Sequence, residues 1–254
     1  MFSVIICSID AKRFADAKAM YERNFQNHQW ELIHIDDARS LAEGYNRGLA
    51  KSRGDLLIFS HDDVDIFSPD LPNRLAKHLS NFDIVGLAGT SRLIGPDWVW
   101  AGPPFIFGQV CSPHPSGRLS VNIMGAPRPV VGNIQAIDGL FMAARRSVFS
   151  KISFDAATFD GFFLYDLDFS YSAFSSGLKI AVANDICAFH ASPGNFKEAW
   201  NVYAEKFHLK WLNNHPRAKR RPFAGTVVVV ADRAEALEVM TPTYWADQSA
   251  ESGK

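Results

Sequence analysis

Leu56-Leu57-Ile58-Phe59 is an unbroken apolar run, and Ser60-His61-Asp62-Asp63-Val64-Asp65 follows it directly. Apolar residues without alternation suit a strand buried on both faces, as in parallel sheets covered by helices. In open α/β sheets, ligands bind in the crevice beyond the carboxyl ends of the strands. One imidazole and three carboxylates crowd that end here. Charges of one sign held so close repel unless a cation or a partner compensates them. Magnesium and manganese favour such positions, sharing one or two carboxylates with water and substrate phosphate. The segment predicts a buried strand whose tip carries a metal–diphosphate site.

The whole chain can carry such a sheet. Its 254 residues, 47% of them apolar, are enough to bury one sizeable core. A net charge of −1 gives no overall attraction to nucleic acid or to anionic membranes. Cys7, Cys111 and Cys187 are odd in number and far apart, which predicts buried, inert thiols in a reducing compartment. No apolar run approaches the roughly 18 residues needed to cross a bilayer. Residues 2–7 enter an apolar strand with no basic region ahead of them, so a cytoplasmic protein is expected.

Strand-like and helix-like stretches then alternate. Residues 12–26 read as a helix, Trp30–Ile35 as a strand ending in Asp36-Asp37, and 40–51 as a helix with Leu41, Tyr45 and Leu49 on one stripe. This spacing implies βαβ units and a mostly parallel, Rossmann-like sheet flanked by helices. A helix to residue 80 and a strand at 84–88 follow. The segment 89–131 holds Gly102-Pro103-Pro104 and Pro113-His114-Pro115, which exclude a long helix. A connection of that length is functional or has strands of its own. Next come a strand at 136–143, a helical turn at 145–151, a helix at 165–176 closed by Gly177, and a strand at 179–183. A last amphipathic helix covers 195–213. A basic run at 217–221, a valine-rich run at 227–230 and a polar tail from Asp247, expected to be disordered, complete the chain. No Gly-rich phosphate loop is present, so phosphate must be held by metal and isolated cations.

Three stretches, in this order, resemble the family 2 glycosyltransferases of the GT-A fold, specifically their streptomycin-biosynthesis-like branch. The first runs from Tyr45-Asn46-Arg47-Gly48 through Arg53-Gly54-Asp55 to His61-Asp62-Asp63-Val64. The second is Ile137-Asp138-Gly139-Leu140-Phe141-Met142 with Arg145-Arg146. The third is Phe159-Asp160 through Tyr165-Asp166-Leu167-Asp168-Phe169, with His190 downstream. The resemblance implies an α/β fold with a single GT-A-type domain over 1–215. Residues 1–135 form its nucleotide-sugar-binding half, 136–215 its acceptor half, and 216–254 an extension. It also implies a metal-dependent, inverting glycosyltransferase using Mn²⁺ or Mg²⁺, with a nucleotide-sugar donor and a saccharide or lipid-linked acceptor.

Residue by residue, the resemblance makes Asp63 the metal ligand, with His190 completing the metal or phosphate site. Asp62 faces the ribose or the metal's water shell. Ser8 and Asp10 line the nucleotide pocket, Asp37 receives the base, and Asp138 and Gly139 border the sugar. Asp166 is the catalytic base, since an inverting transfer needs a carboxylate opposite the departing diphosphate. At an ordinary pKa near 4 it is ionised at neutral pH. Two positions depart from the pattern: His61 stands where the family often has an acid, and Tyr165 where it typically has Glu.

Alternatives stay open at several positions. Asp63 and Asp65 form a rival register, sharing one side if Val64 points inward. Asp37 and Asp166 also suit helix starts. Trp98 and Trp100 suit a sugar platform or the core. The run at 217–221 is either a contact for an anionic membrane or a solvated face. A non-catalytic nucleotide-sugar-binding or scaffold protein on the same fold is the rival function.

Overall fold

In the computed structural model, which describes residues 1–125, 128–192, 198–219, 221 and 225–241, the apolar run forms strand β3 (Leu56–Ser60). Its Leu57, Ile58 and Phe59 are fully buried. Among the described residues, seven strands make up its sheet. Their order is β2 (Trp30–Ile35), β1 (Phe2–Cys7), β3, β11 (Phe141–Arg145), β5 (Ile84–Gly86), β12 (Ile180–Ala183) and β9 (Val130–Val131). The β2–β1–β3 block is parallel, as is the β5–β12 pair. However, β11 runs antiparallel to both β3 and β5, and β9 runs antiparallel to β12. The sheet is therefore mixed, which corrects the expectation of a mostly parallel one. A strand buried on both faces shows the same apolar run whichever way its neighbours point, so Phe141-Met142-Ala143-Ala144 carries no sign of its direction.

Residues 136–143 read as one strand but form two. β10 (Ala136–Ile137) belongs to a second sheet and β11 to the first, with Asp138-Gly139-Leu140 crossing between them. Successive side chains of a strand point to opposite faces, and here they enter two cores. Ile5, Leu57, Phe59 and Met142 pack with helices α2 (Leu41–Lys51) and α4 (Tyr165–Ser175). Val4, Ile6, Ile58 and Phe141 pack with α1 (Ala11–Asn24) and α3 (Leu71–Leu79). Helices on both faces match the expectation.

Ser40 caps α2 by accepting the Glu43 N–H. Of the predicted stripe, Tyr45 is fully buried, but the closest approach is made by Gly44 and Gly48, one turn apart. A Cβ on Gly48 would lie 2.3 Å from Ile5 Cγ2, and one on Gly44 2.5 Å from Cys7 Sγ. The two glycines let α2 lie directly on β1. Gly48→Ala should therefore lower the unfolding midpoint. Overpacking typically costs about 1–3 kcal/mol, against a gain of about 1 kcal/mol from helix propensity. A denaturant titration of both proteins checks the sign.

The second sheet runs β10, β6 (Ala88–Thr90), β7 (Ile106–Pro113), β13 (Ala188–His190), β4 (Val64–Ile66). β8 (Leu119–Met124) pairs with β7, and β14 (Thr226–Val230) with β8. The long 89–131 segment thus has strands of its own. The valine-rich run is β14. An unpredicted helix, α6 (Arg233–Met240), packs Ala236, Val239 and Met240 against Val121, Cys187 and Val230. The last predicted helix is α5 (Glu198–Phe207), continued by a wider π-type turn over His208–Leu212. Its expected start at 195 and the tail from Asp247 lie outside the described residues.

The cysteines are unpaired. Burial pushes the thiols up to about 12 at Cys7 and Cys187 and about 11 at Cys111, so all three are inert at neutral pH. Among the described residues, no helix is long and apolar enough to cross a membrane.

Candidate active site

At the tip of β3 the chain turns into β4. The His61 N–H donates to the Leu140 carbonyl at 3.0 Å, tying the turn to the crossing at 138–140. β4 pairs antiparallel with β13, setting His190 opposite Val64. The Ala191 N–H donates to the Asp63 carbonyl at 3.1 Å. This pairing carries His190 and Ser192 against the Asp63 side chain. His190 Nε2 lies 3.3 Å from Asp63 Oδ1, His61 Nδ1 lies 4.0 Å from the same oxygen, and Ser192 Oγ donates to Asp63 Oδ2. One ligand atom from each of His61, Asp63 and His190 falls within 4.8 Å of the others. Burial raises the Asp63 carboxyl, but His190 and Ser192 outweigh it and hold the group well below the usual carboxylate range.

These three residues suit a divalent cation. His190 Nε2 is buried and, though close to Asp63, is not aligned to hydrogen-bond it or anything else. A buried nitrogen left in this way is unfavourable. A cation shared with the carboxylate would satisfy both groups.

His61 is fixed from behind. Its Nε2 lies 2.7 Å from the Tyr165 hydroxyl, which donates to the Gly139 carbonyl at 3.4 Å. In the tautomer whose Nε2–H donates to the phenol, the Nδ1 lone pair faces Asp63 and is free for a cation. The two departures from the family pattern thus touch each other. Tyr165 is itself wedged against Tyr45 and Phe154, with ring centroids at 5.7 and 6.5 Å. Tyr165→Phe should weaken divalent-cation binding by about 10–100-fold, the usual effect of removing a ligand's hydrogen-bond partner. A Mn²⁺ titration followed by electron paramagnetic resonance reads this directly; unchanged affinity would remove Tyr165 from the account.

Asp62 lies beside Asp63 and accepts a hydrogen bond from Ser8 Oγ at 2.6 Å, with Arg13 Nη1 at 3.9 Å. Asp65 points elsewhere, towards Arg23 at 3.5 Å and Arg233. The fold therefore groups Asp62 with Asp63 and leaves out the rival register.

Across the cavity, Leu164 adopts the left-handed conformation (φ 62°) just before α4, and Asp166 follows in the first helical turn. Asp166 Oδ2 accepts the Gly139 N–H at 2.7 Å. A Cβ on Gly139 would fall 2.3 Å from the Tyr165 hydroxyl and 2.8 Å from Asp166 Cβ, so only glycine fits between them. Asp138 accepts from the Trp98 indole and from the Leu140 N–H, each at 2.9 Å. Burial, and then the charge of Asp138, push Asp166 up to about 7, far from the ordinary value expected of it. Asp168 faces away, held by Trp211 at 2.7 Å and Lys210 at 2.8 Å.

Ser8, Asp62, Asp63, Asp138, Asp166 and His190 all line one cavity of about 430 Å³. Asp10, Asp37 and Gly139 do not. Asp10 caps α1, accepting from the Lys12 and Arg13 N–H groups. Asp37 is exposed and paired with Arg47 at 2.6 Å. Gly139 lies behind Asp166 and Tyr165. Trp98, nearly buried, both lines the cavity and holds Asp138, while Trp100 faces a neighbouring hollow. Arg13, Ser192 and Trp200 also line the cavity and were not anticipated. Ser192 could have been found from its place two residues after His190; Arg13 and Trp200 sit on helices with no local mark.

The mixed α/β sheet flanked by helices, with its acidic tip facing a buried carboxylate across a ligand-sized cavity, has a fold of the GT-A type. A model of the glycosyltransferase-like family matches residues 3–222, and the chain belongs to that family. No curated protein sequence matches it significantly. Among solved structures, it is similar to the mannosyltransferase PcManGT from Pyrobaculum calidifontis in complex with GDP-Man and Mn²⁺. The TM-score is 0.50 and the identity 14%, covering 86% of this chain and 65% of that one. It also matches GalNAc-T7 with UDP, GalNAc and Mn²⁺ (TM-score 0.49, 11% identity, 99% of this chain and 56% of that one). A further match is A197 from STIV (TM-score 0.42, 14% identity, 74% and 84%). The chain thus spans about two thirds of the mannosyltransferase and just over half of GalNAc-T7.

Proposed function

We propose that the chain transfers a sugar from a nucleotide-sugar to an acceptor hydroxyl, with inversion and with a divalent cation bound. The observation that carries this reading is a single cavity lined both by the His61–Asp63–His190 cluster and by Asp166. His61, Asp63 and His190 would hold the cation, which supplies positive charge for the diphosphate as it leaves. Two imidazoles weigh against magnesium, which prefers oxygen ligands, and so favour manganese of the two expected ions. The related mannosyltransferase with GDP-Man and Mn²⁺ supports the same chemistry. Asp62, Ser8 and Arg13 face the nucleotide, and the cavity edge at Cys7, Ile35 and Ala38 offers an apolar slot for the base.

Asp166 takes the proton of the acceptor hydroxyl as its oxygen attacks the sugar. Both Asp138 oxygens are held by N–H donors, so Asp138 is poorly placed to act as a nucleophile, which supports one displacement with inversion. Membership of the streptomycin-biosynthesis-like branch rests on the three sequence stretches. Inert, unpaired thiols support a reducing compartment such as the cytoplasm.

A thermal-shift screen of nucleotide-sugars with and without Mn²⁺ tests the reading. A donor with a Kd of about 10 μM, offered at about 1 mM, should stabilise the protein by about 2.7 kcal/mol. If no donor gives a manganese-dependent shift, the proposal fails. Binding without hydrolysis or transfer would favour the non-catalytic alternative.

A further inference from the structure

Two further hollows continue from the donor cavity. The second, of about 280 Å³, shares Pro96 and Trp200 with it. The third, of about 510 Å³, shares Ile94, Arg217 and Ala218 with the second. Shared walls thus place the three hollows side by side, in a row that starts at the cavity holding Asp166. Its near part is aromatic: the Trp100 and Trp200 rings lie 6.4 Å apart at 44°. Trp100 lies flat on the chain at Gly95, where a Cβ would come within 2.4 Å of the ring. Half-buried indoles of this kind present part of an apolar face with a polar edge, which suits sugar rings.

The far part is cationic. Arg92, Arg217 and Arg221 line the third hollow, and none of its described lining residues is a carboxylate. Glu205 neutralises Arg217 through two contacts of 2.7 Å. The other two have no such partner among the described residues. Arg92 stacks over the Phe105 ring at 5.1 Å, and the Arg221 stem lies along Gly102. Among the described residues no acid pairs with either guanidinium. Two guanidiniums around one hollow, without an acidic partner among the described residues, repel each other and favour an anion, and their planar forks match carboxylate or phosphate oxygens. Arg92 comes from a distant part of the chain, and the charges surround a recess, which is unlike a flat patch that rests on a membrane.

Resting on the glycosyltransferase reading, we infer that the acceptor is an elongated saccharide carrying a carboxylate or phosphate away from the accepting hydroxyl. Its rings lie along Trp100 and Trp200, and its anionic group is received by Arg92 and Arg221.

The full chain should be titrated calorimetrically with maltotetraose, tetragalacturonate and a phosphorylated maltotetraose. At about 50 mM salt, one of the anionic saccharides should bind at least about tenfold more tightly than the neutral one, and lose this advantage at about 500 mM salt. Whether the carboxylated or the phosphorylated saccharide binds better identifies the group. Arg92→Ala/Arg221→Ala should abolish the preference while leaving manganese-dependent binding of GDP and UDP unchanged. Equal binding of neutral and anionic saccharides would overturn the inference. So would a preference that survives in the double variant, or arginine-dependent binding confined to phosphatidylglycerol vesicles. Absence of manganese-dependent nucleotide binding in the unaltered chain would overturn the glycosyltransferase reading, and this inference with it.

Discussion

Asp166→Asn should lower kcat by about 10²–10⁴-fold, the range a positioned general base supplies, with manganese-dependent donor binding unchanged. The amide can still accept the Gly139 N–H, which bonds Asp166 Oδ2 at 2.7 Å, so the turn into α4 keeps its shape. What is lost is the group that takes the acceptor proton. Normal turnover in the variant would remove Asp166 from that role. A pH profile gives an independent check. Burial and Asp138 place the Asp166 carboxyl at about 7, so kcat/KM should fall about tenfold per pH unit below that value.

The same shift has a consequence for stability, with a definite sign. The folded protein holds this proton more tightly than the unfolded chain does. The group therefore contributes stability at low pH, and that stability is lost as pH rises from about 4 to about 7. Above this window the ionised carboxylate is a burden on the fold, which Asn does not carry. Asp166→Asn should thus unfold at a higher temperature than the unaltered protein at pH 8 and show no advantage at pH 4. An inactive variant with a raised midpoint would separate loss of a base from loss of structure.

Asp63→Asn should abolish manganese-dependent donor binding, leaving no thermal shift with any nucleotide-sugar plus Mn²⁺. Asp63 is the one carboxylate in the cluster, and both imidazoles face the same oxygen, at 3.3 and 4.0 Å. An amide oxygen there carries no charge to offset a doubly charged ion, and its nitrogen would repel one. The folded structure should survive, because Ser192 can still donate to the remaining oxygen. Retained manganese affinity would move the ion away from the tip of β3.

Much of this site is visible in the chain as written. Asp62 and Asp63 are marked by the apolar run before them, because a buried strand has to end where the sheet meets solvent. Asp138 and Asp166, marked by the family resemblance, enter the same cavity. What escapes a linear reading depends on pairing across the fold. His190 reaches Asp63 only because β13 pairs with β4, and the bond between His61 and Tyr165 joins residues on a strand tip and a helix start. Taken separately, those two residues weaken the resemblance; in contact, they support the cluster. Asp37 shows the opposite failure, since a strand end marked it but Arg47, one helix away, draws its side chain outward. The direction of β11 was hidden for a related reason, as burial on both faces erases the alternation that would distinguish its neighbours.

The division of labour between the two sheets bears on how such a chain can diversify. In the proposed reading the delivering side is built on β1, β2 and β3, where Gly44 and Gly48 leave no slack between helix and strand. The receiving side is bordered by the long 89–131 insertion and by segments late in the chain, joined to the first sheet through the short crossing at 138–140. In that reading, substitutions in those peripheral stretches would change the acceptor while leaving the residues around Asp62 and Asp63 in place.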